Sequence, residues 1–270
     1  MKLYKCKSPV KILTLDVETA PILGFLWGLW DQNLGLNQVK QDWHLLSFSC
    51  HWLGAPDNEI MYDDQRNEKD ITNDKRLLKN LWQCLNEADI ILTQNGKKFD
   101  VRKINARMVA HGMKPYSSFK HIDVLQIARA KFGFTSNKLA YMTNLLCKKH
   151  KKSEHKSFPG FELWAECLKG NKKAFREMEE YNKLDVLSLE ELYQKLQGWA
   201  TNLPDFNVYN NSEEIVCNCG SKSFKRNGYA YTAVSKFQRY CCVKCGKETR
   251  GRSNLLSKDK RETLRANVTG

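Results

Sequence analysis

The stretch KILTLDVETAP, residues 11–21, constrains this chain more than any other. Ile12, Leu13, Leu15 and Val17 suit the interior of a sheet, so the segment reads as a buried β-strand. Asp16 and Glu18 stand at its far end, before Pro21 breaks the pattern. Side chains two apart on a strand point to the same face. The strand therefore aims two carboxylates at one place, which a fold must either expose to water or balance with cations. Taken alone, a D-x-E at a strand end fits a solvated edge better than a metal site.

The first 200 residues alternate strand and helix signals. Strands are expected at Lys11–Ala20, His44–Leu53, Glu59–Tyr62 and Asp89–Thr93. Leu77, Leu78, Leu81 and Leu85 recur at helical spacing, and that helix runs to about Ala88. Further helices are expected at Asp100–Gly112, Asp123–Lys131, Ser136–Cys147 and Lys172–Trp199. Three early neighbouring strands followed by mixed helix and strand predict an α/β sandwich with a mixed sheet. CKKHKKSEHKSFPG, from Cys147, is too basic and polar for a core and reads as a mobile loop in which His150 and His155 are solvated. TNLPDFNVYNNSEE, from Thr201, has turn-prone clusters and no periodicity, so a linker is placed there.

Charge narrows the range of partners. The 270-residue chain carries net +14, with a pI near 9.3, which favours a polyanion over a generically solvated basic surface. Cys217 to Gly270 alone holds 13 Lys or Arg against 3 Asp or Glu. MKLYKCKSP lacks an apolar export signal, and the most apolar run, PILGFLWGLW, is far short of the ~20 residues that span a bilayer. A cytoplasmic protein is expected. Ten cysteines in a reducing compartment read as thiols or metal ligands rather than disulfides. Cys6, Cys50, Cys84, Cys147 and Cys167 are scattered and read as small buried hydrophobes.

Two further acidic positions accompany the strand. Asp100, in QNGKKFDVRKINAR, opens a helix whose Val101, Ile104 and Met108 face the core; an N-cap role is the plain alternative. Asn95 and Gly96 before it also suit a simple turn. In EEYNKLDVLSLEELYQKL, Met178, Tyr181, Asp185, Leu189, Leu192 and Leu196 step by three or four onto one helical face. Asp185 interrupts that apolar stripe, and burying it costs several kcal/mol unless a cation pairs with it. Asp123 reads as the N-cap of its own helix.

The order of these signals is D-x-E on a strand, N-x3-F-D at a strand-to-helix junction, then Y-x3-D on a late helix. It resembles the three motifs of the DEDD superfamily, the ribonuclease H-like, DnaQ-like 3′–5′ exonucleases that include polymerase proofreading domains. The tyrosine marks the DEDDy branch. The resemblance covers roughly Lys11 to Trp199, continues through HIDVLQIARAKF and SNKLAYMTNLL, and is nearest the stand-alone phage and bacterial type. It implies a ribonuclease H-like mixed sheet flanked by helices. It also implies that Asp16, Glu18 and Asp185 hold one divalent ion, that Asp16 and Asp100 hold a second, and that Tyr181 orients the attacking water. Oxygen ligands favour two Mg²⁺ or Mn²⁺ ions, and two such ions would balance the four carboxylates. By the same resemblance Asn95 and Phe99 line the terminal nucleotide, and Asn137 and Lys138 approach the 3′ end. Ser136 and Asn137 also suit a helix start. Phe25, Trp27 and Trp30 could stack on bases, but core packing or a hairpin is the favoured expectation.

The cysteine-rich end carries Cys217 and Cys219, then Cys242 and Cys245, with Gly246 permitting a tight turn. It resembles a zinc ribbon holding one structural Zn²⁺, although the first pair is C-x-C rather than C-x2-C. Cys241 is a spare thiol that substitutes or stays free. Arg226, Arg239 and Arg250 lie among Tyr229, Tyr231, Phe237 and Tyr240, as on single-strand binding surfaces; a structural or protein-docking ribbon is the rival reading.

The expected organisation is an exonuclease domain over 1–200, a linker over 201–214, a zinc ribbon over 215–252 and a flexible basic tail over 253–270. The expected function is 3′–5′ hydrolysis of phosphodiester bonds, with single-stranded DNA favoured and nucleoside 5′-monophosphates as product. An RNA 3′-end exonuclease, or a binding protein on the same scaffold, is the alternative. The expected partner is nucleic acid with a 3′ end, and the chain is too short for a polymerase domain. Proofreading would therefore act in trans, with a polymerase or other replication protein.

Overall fold

A computed structural model describes residues 1–151, 157–201, 203–210 and 213–268. Contacts divide the chain into two units, Met1–Tyr193 and Gln194–Gly270. In chain order the first unit contains β1 (Ile12–Thr19), β2 (Leu23–Gly24), β3 (Val39–Gln41), β4 (Leu45–Trp52) and β5 (Met61–Asp64). These are followed by α1 (Lys75–Glu87), β6 (Ile90–Thr93), α2 (Asp100–Ala110), β7 (Lys120–Asp123) and α3 (Val124–Lys131). Last come α4 (Leu139–Leu146), α5 (Glu162–Leu168) and α6 (Lys172–Leu196), whose final residues belong to the second unit.

The main sheet has the order β5-β4-β1-β6-β7. β1 pairs antiparallel with β4 and parallel with β6, so the sheet is mixed, as the alternation of strand and helix signals predicts. β1 is central, which explains its apolar make-up. Leu13, Leu15 and Val17 join Phe48 and Cys50 of β4 in a core closed by Leu77, Leu78, Leu81 and Leu85 of α1 and by Ile104 and Met108 of α2. A second cluster joins Ala20 and Leu46 to Leu163 and Cys167 of α5 and to Phe175 and Met178 of α6.

Several expected elements differ at their ends or were not foreseen. β7 and α5 carry too little periodicity to be read: KHID has three polar residues of four, and ELWAECL is seven residues long. The helix expected from Ser136 begins at Leu139. Asp123 does cap its helix, accepting the N–H of Leu125. Phe25, Trp27 and Trp30 are exposed, against the expectation of core packing. They lie on the connection between β2 and β3, which pair as a short hairpin. His150 is not simply solvated: its ring contacts Asp57 at 3.1 Å, and its N–H donates to Glu191 at 2.8 Å. His155 and its neighbours at 152–156 lie outside the described residues, as do 202, 211 and 212 of the expected linker.

The second unit contains β8 (Phe224–Thr232), β9 (Ser235–Cys242), β10 (Glu248–Arg250) and α7 (Lys258–Glu262), with the sheet order β10-β9-β8. The stretch from Ser253 departs from the expected flexible tail. Leu255 donates its N–H to Lys236 O at 2.7 Å, and α7 begins at a Ser257 cap.

Candidate metal centres

β1 separates two environments by its two-residue alternation. The odd positions face the apolar core, while Thr14, Asp16 and Glu18 share the other face with their partners on β4, which are His51, Ser49 and Ser47. The register slips between Glu18 and Thr19, a bulge of the kind that re-aims a side chain at a strand end. α6 crosses this polar face. Met178, Leu189, Leu192 and Leu196 bury its stripe, and Asp185 is buried within it.

The result is convergence from distant parts of the chain. Oxygens of Asp16, Glu18 and Asp185 all lie within 4.8 Å of one another. Three carboxylates so close repel unless protons or a cation join them, and an all-oxygen set suits a hard divalent cation. Two neighbours orient the acids. Asn182 donates its side-chain amide to Asp16 Oδ2 at 2.5 Å, and Trp164 of α5 donates its indole N–H to Glu18 Oε2 at 3.2 Å. Tyr181 packs edge-on against Trp164, with ring centroids 6.3 Å apart. Neither Asn182 nor Trp164 was foreseen. The only sequence signal for Asn182 is a polar residue three positions before Asp185, which on most helices faces water.

Asp100 lies outside that trio. It is the first residue of α2 rather than its cap, and its Oδ1 accepts the N–H of Val17 at 3.1 Å, between Asp16 and Glu18 in sequence. Burial pushes its carboxyl up to about 7, against the lowering effect of that N–H. The turn before it is tightly built. Asn95 has φ of 67°, and a Cβ on Gly96 would meet Thr93 Oγ1 at 2.3 Å. Asp123 accepts the N–H of Asn95 at 2.9 Å, holding the turn to β7. Phe99 is exposed, with Lys103 Nζ 5.7 Å from its ring centroid. Asn95, Asn137 and Lys138 line one cavity of about 550 Å³ together with Gln94 and Arg129. Arg129 was not among the expected residues.

Behind the acids, Glu190 of α6 accepts from Thr14 Oγ1 at 2.7 Å and contacts His51 Nδ1 at 3.0 Å. Burial alone would lower the His51 pKa, but Glu190 more than offsets it and the net shift is upward. This buried pair joins α6 to β1 and β4.

In the second unit the thiols of Cys217, Cys219, Cys242 and Cys245 lie within 4.8 Å of one another. Gly220 and Gly246 turn the two knuckles at φ of 81° and 72°, which removes the Cβ penalty there. The C-x-C spacing of the first pair is therefore compatible with convergence. Burial raises the thiols of Cys217 and Cys245, whereas at Cys242 the N–H groups of Cys245 and Lys244 outweigh burial and hold it below the usual thiol range. Cys241 is not in the group; its Sγ is 3.7 Å from Gly246 O. Arg226 and Arg250 line a cleft of about 1160 Å³ with Tyr240 and Arg252, all within this unit. Arg250 also stacks on Phe237 at 4.0 Å. Arg239 donates to Asn227 O at 2.6 Å and pairs with Glu248 at 2.9 Å, so it braces the ribbon.

Comparison with known proteins places these features in context. Residues 35–197 match a family model described as RNase_H_2, of the RNase_H superfamily. No curated protein matches the sequence. One matching solved structure is the family B DNA polymerase from the hyperthermophilic archaeon Pyrobaculum calidifontis, 12% identical with a TM-score of 0.47. The match covers 75% of this chain and 27% of the polymerase, so the chain spans about a quarter of that protein's length. Among the described residues no helix is long and apolar enough to cross a membrane.

Proposed function

Because the chain belongs to the RNase H superfamily, we propose that it is a metal-dependent nuclease of the DEDDy type, removing nucleotides from the 3′ end of a polynucleotide. The observation that carries this reading is the meeting of Asp16, Glu18 and Asp185 within 4.8 Å, from the central strand β1, which precedes the matched residues 35–197, and from a late helix within them.

In this reading Asp16, Glu18 and Asp185 hold one Mg²⁺ or Mn²⁺, and Asp100 joins Asp16 at a second. Bound divalent cations supply the charge that activates a water and stabilises the departing oxygen of a phosphodiester. The chain's own residues position the parts. Asn182 and Trp164 fix the orientations of Asp16 and Glu18. Tyr181, one turn before Asp185, orients the attacking water. Asn95, Phe99, Asn137 and Lys138 receive the terminal nucleotides. The cysteine cluster holds one structural Zn²⁺, and Arg226 and Arg250 of that unit bind the strand; Arg239, used internally, contributes less. The division into a nuclease domain over 1–200, a linker over 201–214 and a ribbon over 215–252 belongs to the same proposal, as does the preference for single-stranded DNA, with a replication polymerase as partner.

Incubation of 5′-labelled DNA and RNA oligonucleotides with Mg²⁺ tests the reading. A ladder shortening from the 3′ end, abolished by EDTA and by Asp16→Asn, supports it, and the faster of the two substrates identifies the sugar. Binding without shortening supports the alternative of a binding protein on this scaffold.

A further inference from the structure

Between β2 and β3 the chain displays an unusual surface. Trp27 is 97% exposed, Leu29 90%, Trp30 82%, Phe25 67% and Leu36 93%. Monomers seldom leave so many large apolar side chains together in water unless something covers them. The loop is not slack. Phe25 and Gln38 exchange two hydrogen bonds, backbone N–H to O at 2.9 Å and side-chain amide to Phe25 O at 3.0 Å. Gln32 donates to Trp30 O at 2.8 Å. These bonds fix the backbone at Phe25 and Trp30, whose rings stand in water.

The location of the loop narrows what covers it. β1 ends at Thr19, one residue after Glu18, and the chain passes directly into this hairpin. A groove of about 590 Å³ runs from Thr19 and Trp164, next to Glu18, to Ile22 at the base of the hairpin, with Trp43, Lys103 and Phe161 also in its lining. Trp164 is the residue that donates to Glu18. Lys103 Nζ lies 3.6 Å from the Trp43 ring centroid, which puts a cation beside a flat apolar face. From Pro21 to Val39 the only charged residue is Asp31, among the amides Gln32, Asn33, Asn37 and Gln38. Membrane-surface elements rely on Lys or Arg around their aromatics, and this loop has none. A protein partner would bury the rings, but it has no need of a groove that leads to paired carboxylates. Flat rings and neutral amides at the end of such a groove match unpaired bases, which stack on any aromatic face.

We infer that the β2–β3 loop is a stacking arm for the unpaired bases of a single strand whose 3′ end occupies the carboxylate site, with Trp27 and Trp30 as its main platforms. The inference rests on the proposed nuclease reading and extends it. The arm makes the protein selective for polynucleotides long enough to reach beyond the groove, over very short oligonucleotides.

Full-length protein, the double variant Trp27→Ala/Trp30→Ala and the double variant Trp27→Phe/Trp30→Phe are compared. Fluorescence anisotropy without added Mg²⁺ or Mn²⁺, and with no chelator that would strip the cysteine unit, reports binding of a labelled strand of about twenty nucleotides and of a trinucleotide, independently of cleavage. The alanine variant is expected to bind the long strand about tenfold or more weakly, since each base–aromatic stack contributes about 1–3 kcal/mol. The trinucleotide loses less, and the phenylalanine variant recovers most of the affinity. With Mg²⁺ the loss on the long strand falls on KM rather than kcat. Undiminished affinity for the long strand, or an equal loss for both lengths, overturns the arm. Wild-type protein that binds but never shortens the strand overturns the nuclease reading instead, and the anisotropy comparison still decides the role of the loop.

Discussion

Asn182 donates its side-chain amide to Asp16 at 2.5 Å, tying the helix that carries Asp185 to the strand that carries Asp16 and Glu18. The bond engages Asp16 Oδ2 and orients the carboxylate. Asn182→Ala removes it without adding charge. The apparent affinity for Mn²⁺, measured by calorimetric titration, is expected to fall about ten- to a hundredfold, as when other partners of metal-bound side chains are removed. An unchanged affinity shows that the bond does not orient the acid.

Trp164 serves Glu18 and Tyr181 by different parts of its indole. Trp164→Phe keeps a ring against Tyr181 but loses the N–H to Glu18, while Trp164→Ala loses both. The expected order of Mg²⁺-dependent turnover is wild type, then phenylalanine, then alanine, with the alanine variant at least about tenfold below wild type. Equal losses in the two variants would assign the whole effect to the N–H bond to Glu18 and none to the ring against Tyr181.

Much of this site was legible because periodicity reports burial. A strand of alternating aliphatics and a helical stripe interrupted at Asp185 each located a carboxylate on a buried face, and the structure brings both to one place. The orienting residues were not legible. Asn182 and Glu190 are polar residues on a helix with solvated positions, and only the crossing of α6 over β1 decides which of them are buried. Trp164 lies on a seven-residue helix too short to show a period. The aromatic loop was legible only in part: the hairpin that was one expectation is formed by β2 and β3, while the core packing that was the other is not. Apolar content in PILGFLWGLW suggests a core, but whether a ring meets the core depends on where the hairpin points, which no local pattern encodes.

Asp74 anchors the fold away from the carboxylate trio. It has no exposed side-chain surface and accepts from Arg107 at 2.7 and 2.8 Å, from the N–H of Leu45 at 2.9 Å, and contacts His111 at 2.6 Å. Burial alone would raise its carboxyl, but Arg107, Leu45 and His111 hold it below the usual carboxylate range. A depressed folded-state pKa contributes stability that is present above the unfolded value, about 3.9, and is lost as pH falls through the folded value. Urea unfolding of Asp74→Asn is expected to show a loss of about 3–5 kcal/mol at pH 7. The gap between variant and wild type narrows below about pH 4. A gap independent of pH would mean that the charge plays no part.

The cysteine group makes a stoichiometric prediction. Native mass spectrometry is expected to find one Zn²⁺ per chain, retained in Cys241→Ser and lost in Cys242→Ser. Because small zinc units depend on the metal for folding, a strong chelator should melt β8, β9 and β10, seen as lost amide protection over 224–250. Retained protection without zinc would contradict the assignment.

The account depends most on the carboxylate trio holding a cation. Anomalous diffraction at the manganese edge, from crystals grown with Mn²⁺, reads this directly. A peak within about 2.5 Å of oxygens from Asp16, Glu18 and Asp185 together is the predicted result. Density that shows no peak there at saturating Mn²⁺, with the three side chains turned to separate neighbours, would contradict it.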